Sequence, residues 1–242
     1  IVRHSVLAIS LYEGNDLRDC AKNIIMCAIN GFNFKDEGLI LKMNQTTSHR
    51  GPDDTGIFLA DSISLGHNRL SIIDLSPRGH QPMISQDKNF AIVFNGEIYN
   101  FQEIKKELES KGHKFFSDSD TEVILKSYQE YEENCLNKFN GIFAFAIWDK
   151  QKKELFLARD HIGVKPLYYF QDGSKFIFSS EIKGILAHNI SREIDLEGLR
   201  HYFSLSYVPQ PLTIFKNIKK LPSGHWLKLK NGKIEIKKYW EI

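Results

Sequence analysis

Gly141-Ile142-Phe143-Ala144-Phe145-Ala146-Ile147-Trp148 and Glu154-Leu155-Phe156-Leu157-Ala158, joined across Asp149-Lys150-Gln151-Lys152-Lys153, decide how this chain folds. Both runs are short, apolar and rich in aromatic residues, and a polar linker separates them, so they read as two neighbouring strands. The pattern recurs on either side. Phe90-Ala91-Ile92-Val93-Phe94 is a buried strand stopped by Asn95-Gly96. Residues 167–170 and 175–178 flank Asp172-Gly173, and residues 226–229 and 234–236 flank Asn231-Gly232. Both dipeptides favour the left-handed backbone of tight hairpins. Helical patterns lie between these strands. Asn100 followed by Glu103 resembles a capping box opening a helix through Ile104 and Leu108 to Gly112. Residues 120–131 place Val123, Ile124, Leu125 and Tyr128 at helical spacing, and Asp195 is placed to cap a helix through Leu199, Tyr202 and Phe203. Clustered hairpins with helices outside them predict a layered α+β domain, not an alternating parallel sheet.

The bulk numbers bound the function classes. The chain has 242 residues, 42% hydrophobic and 26% charged, with a net charge of +2. That suits a soluble globular protein with a real core and demands neither nucleic acid nor an anionic membrane as partner. The lysines near the end argue the same way: Lys228 and Lys230 alternate with Leu227 and Leu229, as on the solvated face of a hairpin. No stretch approaches the roughly 20 apolar residues of a spanning helix. Cys20, Cys27 and Cys135 are odd in number and widely spaced. They suggest neither a disulfide framework nor a metal site, and point to a reducing, cytoplasmic setting.

Several segments hold groups suited to a small-molecule site: residues 26–31, Ser48-His49-Arg50-Gly51-Pro52-Asp53, Arg69-Leu70-Ser71-Ile72, Asn95-Gly96-Glu97-Ile98-Tyr99-Asn100 and Ser119-Asp120-Thr121-Glu122. Each alone has an ordinary structural use. A buried cysteine serves as a small hydrophobe, Asn-Gly as a turn, and an aspartate at a helix start as a cap.

Order and spacing add a resemblance. From residue 26 onward the chain resembles the N-terminal half of glutamine-hydrolysing asparagine synthetases, a class II glutamine amidotransferase domain of the N-terminal-nucleophile type. The matching pieces run collinearly: Met26-Cys27, His49 to Asp53, Arg69-Leu70-Ser71-Ile72-Ile73-Asp74, Asn95 to Asn100, Ser119 to Val123, Gly141 to Ala146, Arg159-Asp160 with Gly163, Lys165-Pro166-Leu167-Tyr168-Tyr169, Ser180-Glu181-Ile182-Lys183 and Lys220-Leu221-Pro222-Ser223-Gly224-His225. The resemblance implies a four-layer αββα sandwich, two antiparallel sheets between helices. It also implies roles. Cys27 is the nucleophile on the glutamine carboxamide, and its own α-amino group is the base, with a reference pKa of about 7.7–8.0. The Asn95 side chain and the Gly96 N–H form the oxyanion hole. Arg69 holds the substrate α-carboxylate and Asp120 its α-ammonium, with Leu70, Ile72 and Glu97 helping to line the pocket. Arg50 and Asp53 read as braces of their loop.

Two departures accompany the resemblance. Residues 1–26 form a leader, either a misassigned start before Met26-Cys27 or a propeptide, and with it attached Cys27 has no free amine. Residues 27–242 are the glutaminase domain, and the ATP-dependent synthetase half of the family is missing from this fragment. No metal or cofactor is expected within the domain, whereas ATP and magnesium are expected for that absent half. Expected partners are glutamine and the C-terminal synthetase domain, without nucleic acid or membrane; a homodimer is left open. Two alternatives stand beside the glutaminase reading: an amidotransferase acting on another acceptor, and a catalytically blocked binding or regulatory module.

Overall fold

The computed structural model describes residues 26–71 and 76–241. Two six-stranded antiparallel sheets lie face to face. The first has the order β10-β8-β9-β1-β3-β2. Its strands are β1 (Ala28–Phe32), β2 (Asp54–Ala60), β3 (Ile63–Arg69), β8 (Tyr168–Asp172), β9 (Lys175–Ser179) and β10 (Ile218–Lys220). The second, β12-β11-β7-β6-β5-β4, contains β4 (Met83–Ile84), β5 (Phe90–Ile98), β6 (Gly141–Asp149), β7 (Glu154–Arg159), β11 (His225–Lys230) and β12 (Lys233–Lys238). The helices are α1 (Glu37–Thr47), α2 (Phe101–Ser110), α3 (Asp120–Tyr131), α4 (Ile182–Ile185) and α5 (Leu196–Leu205).

Strand alternation builds three apolar layers from this arrangement. Ile29, Leu65, Val93, Ala144, Ala146, Leu155, Leu157, Phe176, Phe178 and Leu227 fill the space between the sheets. On the outer face of the second sheet, Phe94, Phe143, Phe145 and Phe156 pack against Ile104 and Leu108 of α2 and Val123, Ile124 and Tyr128 of α3. On the outer face of the first, Phe32 and Ile177 meet Ile40 and Met43 of α1 and Ile185 of α4. Each fully buried Phe, Leu or Ile contributes roughly 1.5–3 kcal/mol relative to exposure. The result is the expected αββα sandwich.

Local chemistry mostly follows the sequence reading. The Asp195 carboxylate accepts from the N–H groups of Glu197 and Gly198 and caps α5. Asn231 (φ 51°) and Gly232 (φ 73°) supply the left-handed pair between β11 and β12. Three expectations need correction. Asn95-Gly96 does not stop the strand: β5 runs on to Ile98, which pairs with Gly141, because β6 continues the ladder past Asn95 and Gly96. Asn100 starts α2 but caps nothing: its side chain donates to Lys138 O and accepts from Asn140 N–H, tying the helix to the loop before β6. Lys228 is not solvated. Its Nζ pairs with Glu133 at 2.7 Å and lies 5.2 Å from the Trp226 ring centroid, because helical cover reaches this face of the hairpin. Among the described residues no helix is long and apolar enough to cross a membrane.

Candidate active site

Cys27 immediately precedes β1, and alternation places its side chain on the same inter-sheet face as Ile29. The register Ala28↔Asn68 sets it beside the end of β3. There the Leu70 N–H donates to Cys27 Sγ at 3.3 Å, and Sγ lies 3.6 Å from Leu70 O. The Cys27 carbonyl accepts from Arg50 Nε at 3.1 Å, and Arg50 Nη1 binds Glu181 Oε1 at 3.1 Å. Arg50 therefore braces the Cys27 backbone as well as its own loop. Asp53 is also a brace, its Oδ2 accepting from Ser71 N–H at 2.8 Å.

From the facing sheet, alternation along β5 sends Ala91, Val93 and Asn95 toward β1 and β3. The Asn95 side chain is 1% exposed, and its Nδ2 has no hydrogen-bond partner. An unsatisfied buried donor is costly and rare in folded proteins. Phe94 N–H donates to Gln81 Oε1 at 2.6 Å, and Ile98 N–H to Asp120 Oδ2 at 3.1 Å. Strand geometry puts the Gly96 N–H on the same edge, between these two bonds. Glycine is required there: at φ +157°, a Cβ would sit 2.2 Å from Ile142 O and 2.7 Å from Phe143 Cα. The sheets are tied at this end by His67, whose Nε2–H donates to Phe94 O at 3.0 Å. Burial holds its pKa down at about 4, so the ring is neutral.

These groups enclose a cavity of about 80 Å³, lined by Met26, Cys27, Arg69, Leu70, Gln81, Asn95, Gly96, Asp120 and Lys165, among others. That is small beside the roughly 300–1,000 Å³ of drug-sized ligand pockets, and suits a ligand of amino-acid size. Burial pushes the Cys27 thiol up; the Leu70 N–H opposes it, followed by the charges of Lys165 and Arg69. Burial also raises Asp120 to about 6, against the Ile98 N–H and with the help of Glu97. Ser119, not Asp120, caps α3, its hydroxyl accepting from Thr121 N–H. That leaves Asp120 at the cavity wall.

The structure thus brings Cys27, Arg69, Leu70, Asn95, Gly96 and Asp120 together. Glu97 is not on the wall and acts on it only through charge. Ile72 lies outside the described residues, as do residues 1–25. The sequence reading gave no role to Gln81, which bridges Phe94 and Thr121 (Nε2 to Oγ1, 3.3 Å), or to Lys165. Lys165 stood within a quoted motif; Gln81 carried no signal. Among the described residues no group of His, Cys, Asp or Glu could hold a metal ion.

A half-buried thiol and an unpartnered buried amide share one amino-acid-sized cavity of an αββα sandwich, a fold of the N-terminal-nucleophile hydrolase type. The match of the glutamine amidotransferase domain to residues 26–240 is decisive, and the chain belongs to that family. Two Bacillus subtilis proteins named asparagine synthetase (glutamine-hydrolyzing) are similar to it. Number 3 is 42% identical over 227 residues, covering 90% of this chain and 37% of the relative. Number 1 is 43% identical over 206 residues, covering 85% and 32%. The chain therefore spans well under half the length of these relatives. In fold it is similar to a B. subtilis glutamine phosphoribosylpyrophosphate amidotransferase, with a TM-score of 0.66, 18% identity, and coverage of 88% of this chain and 49% of that one.

Proposed function

We propose that the domain hydrolyses glutamine to glutamate and ammonia through a Cys27 thioester, acting in the form whose chain begins at Cys27. The observation that carries this reading is the orphaned Asn95 Nδ2 sharing a cavity with the Cys27 thiol. A donor left unsatisfied at rest suits an acceptor that forms only in the transition state. Cys27 attacks the carboxamide carbon, its thiol proton passing to its own α-amine. The carbonyl oxygen gains negative charge and accepts from Asn95 Nδ2 and Gly96 N–H. The α-ammonium then returns the proton to the departing ammonia, and water, losing a proton to the same amine, cleaves the thioester. Arg69 holds the α-carboxylate by a bidentate fork, and Asp120 holds the α-ammonium.

In the parent protein, the released ammonia feeds an ATP- and magnesium-dependent half that converts aspartate to asparagine. The names and lengths of the B. subtilis relatives support that reading. The exposed Leu196 and Phe203 of α5, 77% and 79% accessible, suit a face covered by that half. A second reading has its own support. Met26 lines the cavity and its N–H donates to Arg50 O at 2.8 Å, so a chain retaining residues before Cys27 fills its own site, lacks the amine, and is a blocked module.

The test pairs intact mass with glutamate release. Chains starting at Cys27 release glutamate and longer chains do not, and Cys27→Ala abolishes it. Hydrolysis that survives Cys27→Ala refutes the assignment.

A further inference from the structure

Arg159 and Asp160 are nearly buried, 9% and 1% exposed, and both are used to fix one loop residue. The Asp160 carboxylate accepts from the N–H groups of Val164, Lys165 and Phe143 at 2.9, 2.9 and 3.2 Å. Arg159 donates from Nε to Lys165 O at 2.8 Å, from Nη2 to Gly163 O at 2.7 Å, and from Nη1 to Leu221 O at 2.7 Å. Lys165 is thus held at both its N–H and its carbonyl, and Pro166 restricts it from the other side. Two buried charged side chains are a costly mount for an ordinary loop lysine.

The mounted side chain turns into the cavity that Cys27 lines. Its Nζ lies 3.1 Å from Met26 Sδ, the residue next to the nucleophile, and makes no ion pair among the described residues. A thioether is a weak acceptor for an ammonium group. We propose that Lys165 is a positioning cation for the nucleophile, its ammonium facing the Cys27 sulfur and holding it as thiolate when the reaction begins. This deepens the glutaminase reading and rests on it for the reaction served. Lys165 gives up no proton: the thiol proton goes to the base and the ammonium stays charged throughout. The other charged groups around the sulfur are Arg69 from β3, Asp120 from α3, and Arg50 through the Cys27 carbonyl. Burial lowers the pKa of Lys165 itself, Cys27 raises it, Arg50 lowers it, and Asp160 and Glu97 raise it.

The test measures iodoacetamide alkylation of Cys27 against pH by peptide mass spectrometry on the full chain, without glutamine, with buried Cys135 as internal control. An opposite charge within about 4–6 Å shifts a titrating group by about 1–3 units. The alkylation midpoint should rise by about one unit or more in Lys165→Met and in Lys165→Gln, and the rate at pH 7 should fall about tenfold. Lys165→Arg should restore the midpoint. A midpoint unchanged in whichever neutral variant keeps the wild-type thermal transition overturns the proposal. Absence of glutamine hydrolysis in the wild-type chain that begins at Cys27, with the midpoint shift intact, would instead sink the glutaminase reading and leave the Lys165–Cys27 pair standing.

Discussion

Asn95 separates catalysis from stability in a way one substitution can measure. Its Nδ2 is buried without a partner, a condition that costs about 1–3 kcal/mol. Asn95→Leu replaces the amide with an apolar group of similar size, on a face already lined by Ala91 and Val93. The orphan donor goes, and the unfolding free energy should stay level or rise by up to about 1 kcal/mol. Catalysis should move the other way. Losing one oxyanion donor costs about 10²–10³ in kcat, or roughly 2.7–4 kcal/mol of transition-state stabilisation, with KM for glutamine little changed. The assays are urea unfolding, read at the midpoint with its slope, and steady-state glutamate release by the chain beginning at Cys27. A variant that loses stability while keeping kcat near wild type would refute the reasoning, because Nδ2 would then be a structural donor.

Two further predictions use the same wall. Gly96→Ala drives a Cβ into backbone atoms of β6 that cannot rotate away, the nearest being Ile142 O at 2.2 Å. It should cost about 1–3 kcal/mol of stability by overpacking and lower kcat as well, measured on the same two assays. Asp120 gives a pH signature. Its folded pKa of about 6 lies above the roughly 3.9 of a free carboxyl, so its contribution to stability is complete below pH ~4 and is lost as pH rises through about 6. The loss is at most about 3 kcal/mol, and Asp120→Asn should flatten it. Glutamine binding runs the opposite way, since the α-ammonium needs the charged carboxylate: KM should climb about tenfold per unit as pH falls below 6.

The second sheet was legible in the sequence because its strands are apolar on both faces: residues 90–94, 141–148 and 154–158 meet the inter-sheet core on one side and aromatic rings on the other. Most of the first sheet was not. β1 and β3 carry Asn30, Gly31, Gly66 and Asn68, which read as loop chemistry. In the fold, Asn30 Nδ2 and Asn68 Nδ2 both reach Thr47 Oγ1 of α1 at 2.9 Å. Gly31 and Gly66 are glycine because Phe178 and Asn44 occupy the space a Cβ would need. A polar network between strand and helix erases the period that marks a strand. The site was legible by order of motifs, through Cys27, Arg69, Asn95, Gly96 and Asp120. Lys165 stood in a quoted motif, but its direction is set by the buried Arg159 and Asp160, and Gln81 reaches the site from a loop held by Phe94 and Thr121, which spacing does not show.

Met26 on the cavity wall has a practical consequence. Met26, the residue attached ahead of Cys27, takes up part of the wall the reactant must meet, so a retained Met26 behaves as a tethered competitor at an effective concentration of about millimolar. Added glutamine would have to outcompete a ligand that never diffuses away. Affinity tags belong downstream of Glu241, and a recombinant sample with an extended front end would read as inactive while being correctly folded.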